Sequence, residues 1–434
     1  MLRIIDLRGA ALDADAIRAA LPRPESDPGS VLGAAAELIE DVRVRGEQAL
    51  LEQADRFDGG RPPAVRVPVE QIVEAEQALP TDIRAALEVV IERVRAASRA
   101  QLSEPATTVL GDGARVLQRW LPVNRVGLYV PGGRAVYPSS VVMNAVPAQA
   151  AGVRGLAIAS PAQRAFGGRV HPLILGAAGV LGVHEVYAMG GAGAVGAFAH
   201  GVPGIGLQPV DVVTGPGNVF VAAAKRAVAG LVGIDSEAGP TEILVVADGA
   251  ADPRFVAADL ISQAEHDELA AAVLVTDSER LAREVVAQVE QRAATTFHAE
   301  RVRTSLTAPQ SGVLIVDDLD AAVAVSNAYA PEHLEVQVVD PWPVVTRLTE
   351  AGAVFVGPGS PVSLGDYAAG SNHVLPTGGT ARFSAGLSVR PFLRQQQIVD
   401  YDLDALAEAR PHVRSLSDAE GLPAHGDAVD VRFA

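Results

Sequence analysis

Two short segments hold side chains that can move protons and bind a metal. In Tyr329-Ala330-Pro331-Glu332-His333-Leu334-Glu335 a carboxylate and an imidazole stand side by side just after a proline. In Gly365-Asp366-Tyr367-Ala368-Ala369-Gly370-Ser371-Asn372-His373 the same two groups sit in a Gly-rich stretch that has little packing reason to hold them. Histidine is scarce, nine in 434 residues, and two of the nine fall in these segments. An adjacent Glu-His pair can divide two tasks: the imidazole acts as a base near neutral pH and the carboxylate activates a water. The plainer reading is a strand-entry pair, since the proline puts the helix end at Ala330 and the strand start at Glu332.

Gln263 and His266 lie three apart at the end of a helix predicted over Asp252 to His266, so both share one face. They suit a bridging metal, or simply a polar helix end with a histidine near the C-terminal dipole. Asp366 follows the turn Gly357-Pro358-Gly359-Ser360-Pro361 after a strand. Loops at the carboxyl ends of parallel strands are where α/β sheets bind ligands, though an aspartate also serves turns. Gly191-Ala192-Gly193-Ala194-Val195-Gly196 fits the Gly-x-Gly-x-x-Gly dinucleotide fingerprint, after a predicted strand and opening a helix. Its acidic partner would be Asp211, which falls at the start of a strand rather than its end, and a chain with 42 glycines produces such patterns by chance. Gly215-Pro216-Gly217-Asn218 is a second Gly-rich turn before a helix, suited to a phosphate or ribose. Tyr129-Val130-Pro131-Gly132-Gly133 ends a strand with an aromatic that can stack on a nucleotide or staple a domain junction.

The elements that must position these groups follow from periodicity. Apolar spacing of three and four predicts long helices over 30–56 and 69–102. Strands at 155–160, 185–189, 210–213 and 231–234 then alternate with helices at 171–181, 192–200 and 219–229. A second series has strands at 242–247, 272–276, 313–316, 334–339 and 353–356, with helices at 252–266, 278–294, 318–329 and 341–350. Alternating β and α elements imply mostly parallel sheets covered on both faces. After about residue 386 the alternation stops, and 402–425 reads as a helical tail that docks on another surface.

Composition bounds the rest. The length allows two or three domains, and a hydrophobic content of 49% supports large cores. A net charge of −17 argues against a nucleic-acid partner. With no cysteine there is no disulfide, thiolate metal site, iron–sulfur cluster or thioester chemistry, so any zinc must use His, Asp, Glu or Gln. No apolar run is long enough to span a membrane. Charges throughout the first residues (Arg3, Asp6, Arg8, Asp13, Asp15, Arg18) argue against a signal peptide and make a cytoplasmic enzyme the default expectation.

The ordered stretches Gly127 to Gly133, Thr214-Gly215-Pro216-Gly217-Asn218, Ala238-Gly239-Pro240-Thr241-Glu242, Ser262-Gln263-Ala264-Glu265-His266, Ala330 to Leu334, Gly365 to Pro376 and Glu420-Gly421-Leu422-Pro423-Ala424-His425 resemble those of the histidinol dehydrogenase family over essentially the whole chain. The resemblance implies oxidation of L-histidinol to L-histidine through L-histidinaldehyde with two NAD, the last step of histidine biosynthesis. It implies one zinc ion per subunit held by Gln263, His266, Asp366 and His425, and catalytic positions at Glu332 and His333. Substrate contacts would come from Thr241, Gln263, His266, His333, Asp366, His373, Glu420 and His425, and NAD contacts from Tyr129, Gly193 and Asn218. His333 would take the alcohol proton and Glu332 would activate water on the aldehyde, in keeping with the absence of a Cys nucleophile. The family pattern often has Gln where this chain has Gly193, which leaves only backbone to hold NAD there, and Ser where it has Thr241, which keeps the hydroxyl.

The expected architecture is α/β, with two incomplete doubly wound (Rossmann-like) domains of mostly parallel sheets, an N-terminal helical segment and a C-terminal dimerising tail. The expected division is an arm at 1–22, a zinc and catalytic domain from 23–128 and 242–387, an NAD-side domain at 129–241, and a tail at 388–434 reaching the partner of a homodimer with shared active sites. Alternative readings are an NAD-dependent dehydrogenase of another small polar alcohol, a zinc hydrolase using Glu332, and a non-catalytic binding protein.

Overall fold

The computed structural model describes residues 2–10, 12–24, 28–132, 136–237 and 239–434. Gly133 and Ala238, which belong to two of the motifs above, lie outside the described residues. In chain order the strands are β1 (Ile4–Asp6), β2 (Ala106–Gly111), β3 (Ala114–Pro122), β4 (Arg125–Tyr129), β5 (Gly155–Ser160), β6 (Val186–Ala188) and β7 (Val212–Thr214). They continue with β8 (Gly233–Ile234), β9 (Glu242–Ala247), β10 (Ala271–Thr276), β11 (Gly312–Ile315), β12 (His333–Gln337), β13 (Ala353–Val356) and β14 (Leu393–Tyr401).

Two of the three sheets are parallel throughout. One runs β6-β5-β4-β7-β8 and the other β1-β11-β10-β9-β12-β13. Parallel neighbours need a crossover, and helices provide it on both faces. Strands such as β9 and β10 are therefore apolar without alternation and buried at every position. Leaving β1 aside, both sheets have one order: third, second, first, fourth, fifth strand. The two predicted series thus become two doubly wound units of identical topology, although the sequence shows no repeat. The N-terminal helices pack on the first unit: Leu32–Arg45 lies against Gly191–His200 and Val219–Val228, and Thr81–Ala100 against Pro138–Ala150. The helix Ala14–Ala20 packs on Leu319–Tyr329 of the second.

The third sheet, β14-β3-β2, is antiparallel and has no counterpart in the expected strands. β2 is exposed at every position and β14 carries three consecutive glutamines, so neither shows the apolar alternation that marks a half-buried strand. Several predicted helices are shorter than expected. Gly46, at φ 57°, splits 30–56 into Leu32–Arg45 and Glu47–Phe57, and Pro80 precedes the second of the helices Val69–Gln77 and Thr81–Ala100. The tail divides at Gly421 into Leu403–Ala419 and Pro423–Asp430. Among the described residues no helix is long and apolar enough to cross a membrane.

Candidate active site

The helix Leu319–Tyr329 ends at Ala330, which has φ 51° and is the one non-glycine residue in the left-handed region among those described. The sequence predicts an extended residue before Pro331; the observed conformation instead costs an L-residue about 1–2 kcal/mol. Its N–H donates to the Ser326 carbonyl at 2.8 Å, and the Arg23 guanidinium donates to the Tyr329 carbonyl, which hold the turn. The turn delivers Glu332 and His333 to the amino end of β12, where His333 pairs with Ile243 and Ala353.

Both side chains are buried. Glu332 Oε2 accepts from the Thr241 hydroxyl at 2.6 Å and from the Glu242 N–H at 2.8 Å. His333 Nδ1 lies 3.0 Å from the Glu242 carbonyl oxygen. A carbonyl only accepts, so Nδ1 carries the proton and Nε2 keeps a lone pair. Burial pushes the Glu332 carboxyl well above its usual value, against the pull of the Thr241 and Glu242 hydrogen bonds. Burial pushes His333 down, opposed by the Asp366 charge. The downward shift keeps the imidazole neutral with its lone pair available, and the upward shift gives the carboxylate a stronger hold on a proton.

Asp366 stands between two imidazoles. Its Oδ1 is 4.0 Å from His333 Nε2, and its Oδ2 is 3.8 Å from His266 Nε2. Asp366 lies in a short helix, Val362–Tyr367, rather than in the expected loop. The helix over 252–266 ends at Ala264, so Gln263 is helical and His266 follows the cap, its N–H donating to the Gln263 carbonyl at 3.2 Å. A crossover helix runs back against its strands, so its C-terminal end arrives at the amino edge of the sheet. The cluster therefore sits at the amino edge of the six-stranded sheet, not at the carboxyl ends where such sheets usually bind ligands. Gln263 Nε2 donates to the Thr241 hydroxyl, and its carbonyl Oε1 remains for another ligand.

His373 joins the cluster through its Nδ1, 2.9 Å from the Asp366 carbonyl oxygen, and its Nε2 takes the Ser140 hydroxyl at 3.1 Å. Ser140 belongs to the buried helix Pro138–Ala150 over the other parallel sheet. There Asn144 donates to the Ser140 carbonyl and accepts from the Thr214 hydroxyl, each at 2.8 Å, while Asn372 donates to the Met143 carbonyl at 2.7 Å. Sequence reasoning overlooks Ser140 and Asn144. Their signal is a set of small polar groups, Ser139, Ser140 and Asn144, in the first half of a helix that is buried on all sides.

Zinc fits this donor set in part. Among the described residues no three His, Asp or Glu side chains gather closely enough to hold a metal. The 3.8 Å between His266 Nε2 and Asp366 Oδ2 is close to the roughly 3.3–3.5 Å that separates two ligands of a tetrahedral zinc with bonds near 2.0–2.1 Å. Burial pushes His266 down toward the neutral form that ligates. Gln263 Oε1 would be a third donor. Glu420 and His425 are exposed on the tail, and no hydrogen bond or ion pair among the described residues joins their side chains to the cluster. The tail is held to itself by Arg410–Asp430 at 2.7 Å and Arg414–Asp427 at 2.6 Å.

A second site lies at the carboxyl edge of the five-stranded sheet. The strand order reverses between β4 and β7, the place where doubly wound sheets open a crevice. A cavity of about 600 Å³ occupies it, lined among others by Gln53, Asp58, Tyr129, Pro161, Gly191 and Asn218. The Tyr129 hydroxyl accepts from the Gly191 N–H at 3.2 Å, and Asn218 Oδ1 caps the next helix by accepting from Phe220 N–H at 3.0 Å, which leaves its amide NH₂ to donate. Gly215, at φ 118°, passes so close to the Tyr129 carbonyl that any Cβ would overlap it. Burial pushes Asp58 up to about 7. The fingerprint over 191–196 does open a helix after β6, but its acidic partner is elsewhere: Asp211 Oδ2 accepts from Asn124 N–H at 2.7 Å and Arg125 N–H at 3.0 Å, at the opposite edge of the sheet. Gly193 is buried and does not itself line the cavity; a Cβ there would run into Gln53 Oε1 of the cavity wall.

Behind His333, β12 carries a fully buried Glu335, which hydrogen-bonds Asp259 of the helix that bears Gln263. Glu335 Oε1 accepts from Gln337 at 2.6 Å, and Oε2 has no partner unless a proton sits between it and Asp259. Burial pushes both carboxyls up; the charge and hydrogen bond of Asp259 raise Glu335 further, while the bond from Glu335 pulls Asp259 back down, so the shared proton rests on Glu335. A carboxyl raised in the fold keeps its proton where the unfolded chain, near 4.5, has lost it. Stability is then full below that value and falls as pH rises toward the folded value, by at most about 1.4 kcal/mol per pH unit for one proton. Glu335→Gln keeps a donor toward Asp259 without a proton to lose. The melting temperature of the parent should drop more steeply than that of Glu335→Gln between about pH 6 and about pH 8; parallel profiles would reject the shared proton.

The sequence pattern of the histidinol dehydrogenase family matches residues 21–433. A histidinol dehydrogenase of Leifsonia xyli subsp. xyli is 62% identical over 432 residues, covering 100% of this chain and 99% of that one. The histidinol dehydrogenase of Mycobacterium tuberculosis is 56% identical over 436 residues, covering 100% and 98%. The crystal structure of histidinol dehydrogenase from Elizabethkingia anophelis superposes with a TM-score of 0.93 at 30% identity, covering 100% of this chain and 98% of that chain.

Proposed function

Because the chain belongs to the histidinol dehydrogenase family, we propose that it oxidises L-histidinol to L-histidine through L-histidinaldehyde, using zinc and two NAD in succession. The observation that carries this reading is the pair at the amino edge of β12: a neutral imidazole with a free Nε2 beside a buried carboxylate, in a chain without cysteine. When bound, zinc supplies a Lewis-acid anchor for the imidazole and amine of the substrate, and NAD accepts the hydride. Gln263, His266 and Asp366 would hold the metal in this chain, with His425 as the fourth ligand. Tyr129 and Asn218 would contact the dinucleotide.

His333 Nε2 takes the hydroxyl proton as the first hydride leaves carbon, and the Glu242 carbonyl steadies the imidazolium through Nδ1–H. Glu332, held in place by Thr241, takes a proton from a water as its oxygen adds to the aldehyde carbon, and the His333 imidazolium returns its proton to the former carbonyl oxygen, which completes the hydrate and frees Nε2 again. His333 then takes a hydroxyl proton of the hydrate as the second hydride leaves, and the acid results. Each oxidation removes a hydride, which goes to NAD, and one proton, which goes to His333. His373 would contact the substrate from the Asp366 side by exchanging the Ser140 hydroxyl at its Nε2 for a substrate group.

The reading includes a cytoplasmic homodimer in which the tail serves the neighbouring site. Leu403, Leu416, Leu422 and Val431 of the tail are exposed apolar residues that a second subunit would cover. The test is the ultraviolet absorbance of NADH with histidinol and NAD. Two NADH per histidinol support the reading, one points to a simple alcohol dehydrogenase, and none overturns it. Chelation of zinc should abolish turnover while the melting temperature changes little, since the two sheet cores are held by packed apolar side chains. Full turnover of verified metal-free protein would remove zinc from the mechanism.

A further inference from the structure

We propose that Gln53, on a helix outside both doubly wound units, is a binding residue for the dinucleotide, and that Gly193 is there to make room for it. The inference rests on the dinucleotide reading of the cavity at the β4–β7 switch point. The helix Glu47–Phe57 packs against Gly191–His200 and brings Gln53 into the cavity wall together with Tyr129 and Asn218. Gln53 is a polar side chain with only 9% of its surface exposed. Its amide nitrogen is committed: Nε2 donates to the Leu38 carbonyl at 3.1 Å and lies 3.5 Å from Asp41 Oδ2. Its carbonyl Oε1 accepts no hydrogen bond from any described residue. Standing in the wall of the cavity without a donor from a described residue, this oxygen is open to a ligand that donates.

Position 193 explains why the carboxamide can be there. A Cβ on Gly193 would overlap Gln53 Oε1, so any side chain at 193 would displace it. The site thus takes its carboxamide from the helix Glu47–Phe57, and the helix after β6 contributes only backbone. Gln53 Oε1 accepts from a ribose hydroxyl or an amino group of the bound dinucleotide. Asp58, at the end of the same helix, lines the same cavity with a second acceptor.

The test is a cycle of Gln53→Ala, Gly193→Ala and the double variant, with NAD affinity measured by calorimetry and the melting temperature as a check on folding. Gln53→Ala should weaken NAD binding roughly 3–10-fold, the worth of one hydrogen bond. Gly193→Ala should weaken it similarly although it removes no contact. The double variant should bind no more weakly than Gln53→Ala alone, because the second change acts only through the first. If Gln53→Ala fails to fold, Gly193→Ala still decides: unchanged affinity overturns the proposal. Unchanged affinity in folded Gln53→Ala, or losses that multiply in the double variant, also overturn it. A parent protein that binds no NAD would overturn the dinucleotide reading itself, whereas tight binding by the parent and all variants overturns only the role of Gln53.

Discussion

Glu332→Gln should slow the oxidation of histidinaldehyde by about 10²–10⁴-fold and spare more of the histidinol step, whereas His333→Asn should slow both by amounts in that range. The asymmetry follows from the hydrogen bonds. His333 offers the free Nε2 beside Asp366, and either oxidation needs a hydroxyl proton removed. Glu332 is needed when water must be made nucleophilic, and that occurs once, between the two oxidations. Glutamine keeps the size of the side chain and still accepts from Thr241 and the Glu242 N–H, so the fold around β12 is preserved and the loss is chemical. Assays started separately from the alcohol and the aldehyde decide the matter. Equal small losses in both variants would count against the two roles.

Mixing inactive His266→Ala subunits with inactive His425→Ala subunits should restore activity, with about one working site in each mixed dimer. His266 lies in the cluster with Asp366, while His425 is exposed on the tail, and among the described residues no hydrogen bond or ion pair joins its side chain to that cluster. If the tail completes the neighbour's site, one interface of a mixed dimer carries both lesions and the other carries none. Removal of either ligand from an intact site should abolish turnover, so the recovered rate stands against a near-zero background. Confirmed subunit exchange without recovery would place His425 in the site of its own chain.

The doubly wound units are legible in the sequence because buried parallel strands are apolar without interruption, as in β9 and β10, and the helices between them keep a period of three to four. The Glu332–His333 pair is legible because proline fixes where the helix must stop. What the sequence hides is set by distant contacts. The left-handed Ala330 depends on Ser326 and Arg23, and no local preference of alanine announces it. Gly46 and Pro80 each break a periodic pattern that continues on both sides, so the pattern reads through the break. The ribbon of β2, β3 and β14 lacks alternation because β2 and β14 are mostly exposed. The amino-edge position of the cluster depends on where a helix ends after crossing the sheet. Ser140 and Gln53 become visible only when two helices far apart in the chain lie side by side.

The two parallel sheets share one strand order but are used at opposite edges, and this separates two properties that evolve together in many enzymes. The cavity at the carboxyl edge of the first and the carboxylate–imidazole cluster at the amino edge of the second have no lining residue in common; the Ser140–His373 bond ties the cluster to the helix Pro138–Ala150 over the first sheet, not to the cavity. If the dinucleotide lies in that cavity, coenzyme preference is a separate dial from acid–base chemistry. A laboratory selection for a different coenzyme can work through the residues around Tyr129 and Asn218 and leave the hydrogen bonds of Glu332 and His333 intact. The converse also holds, so a lineage that drifts toward a new alcohol can keep the coenzyme it already has.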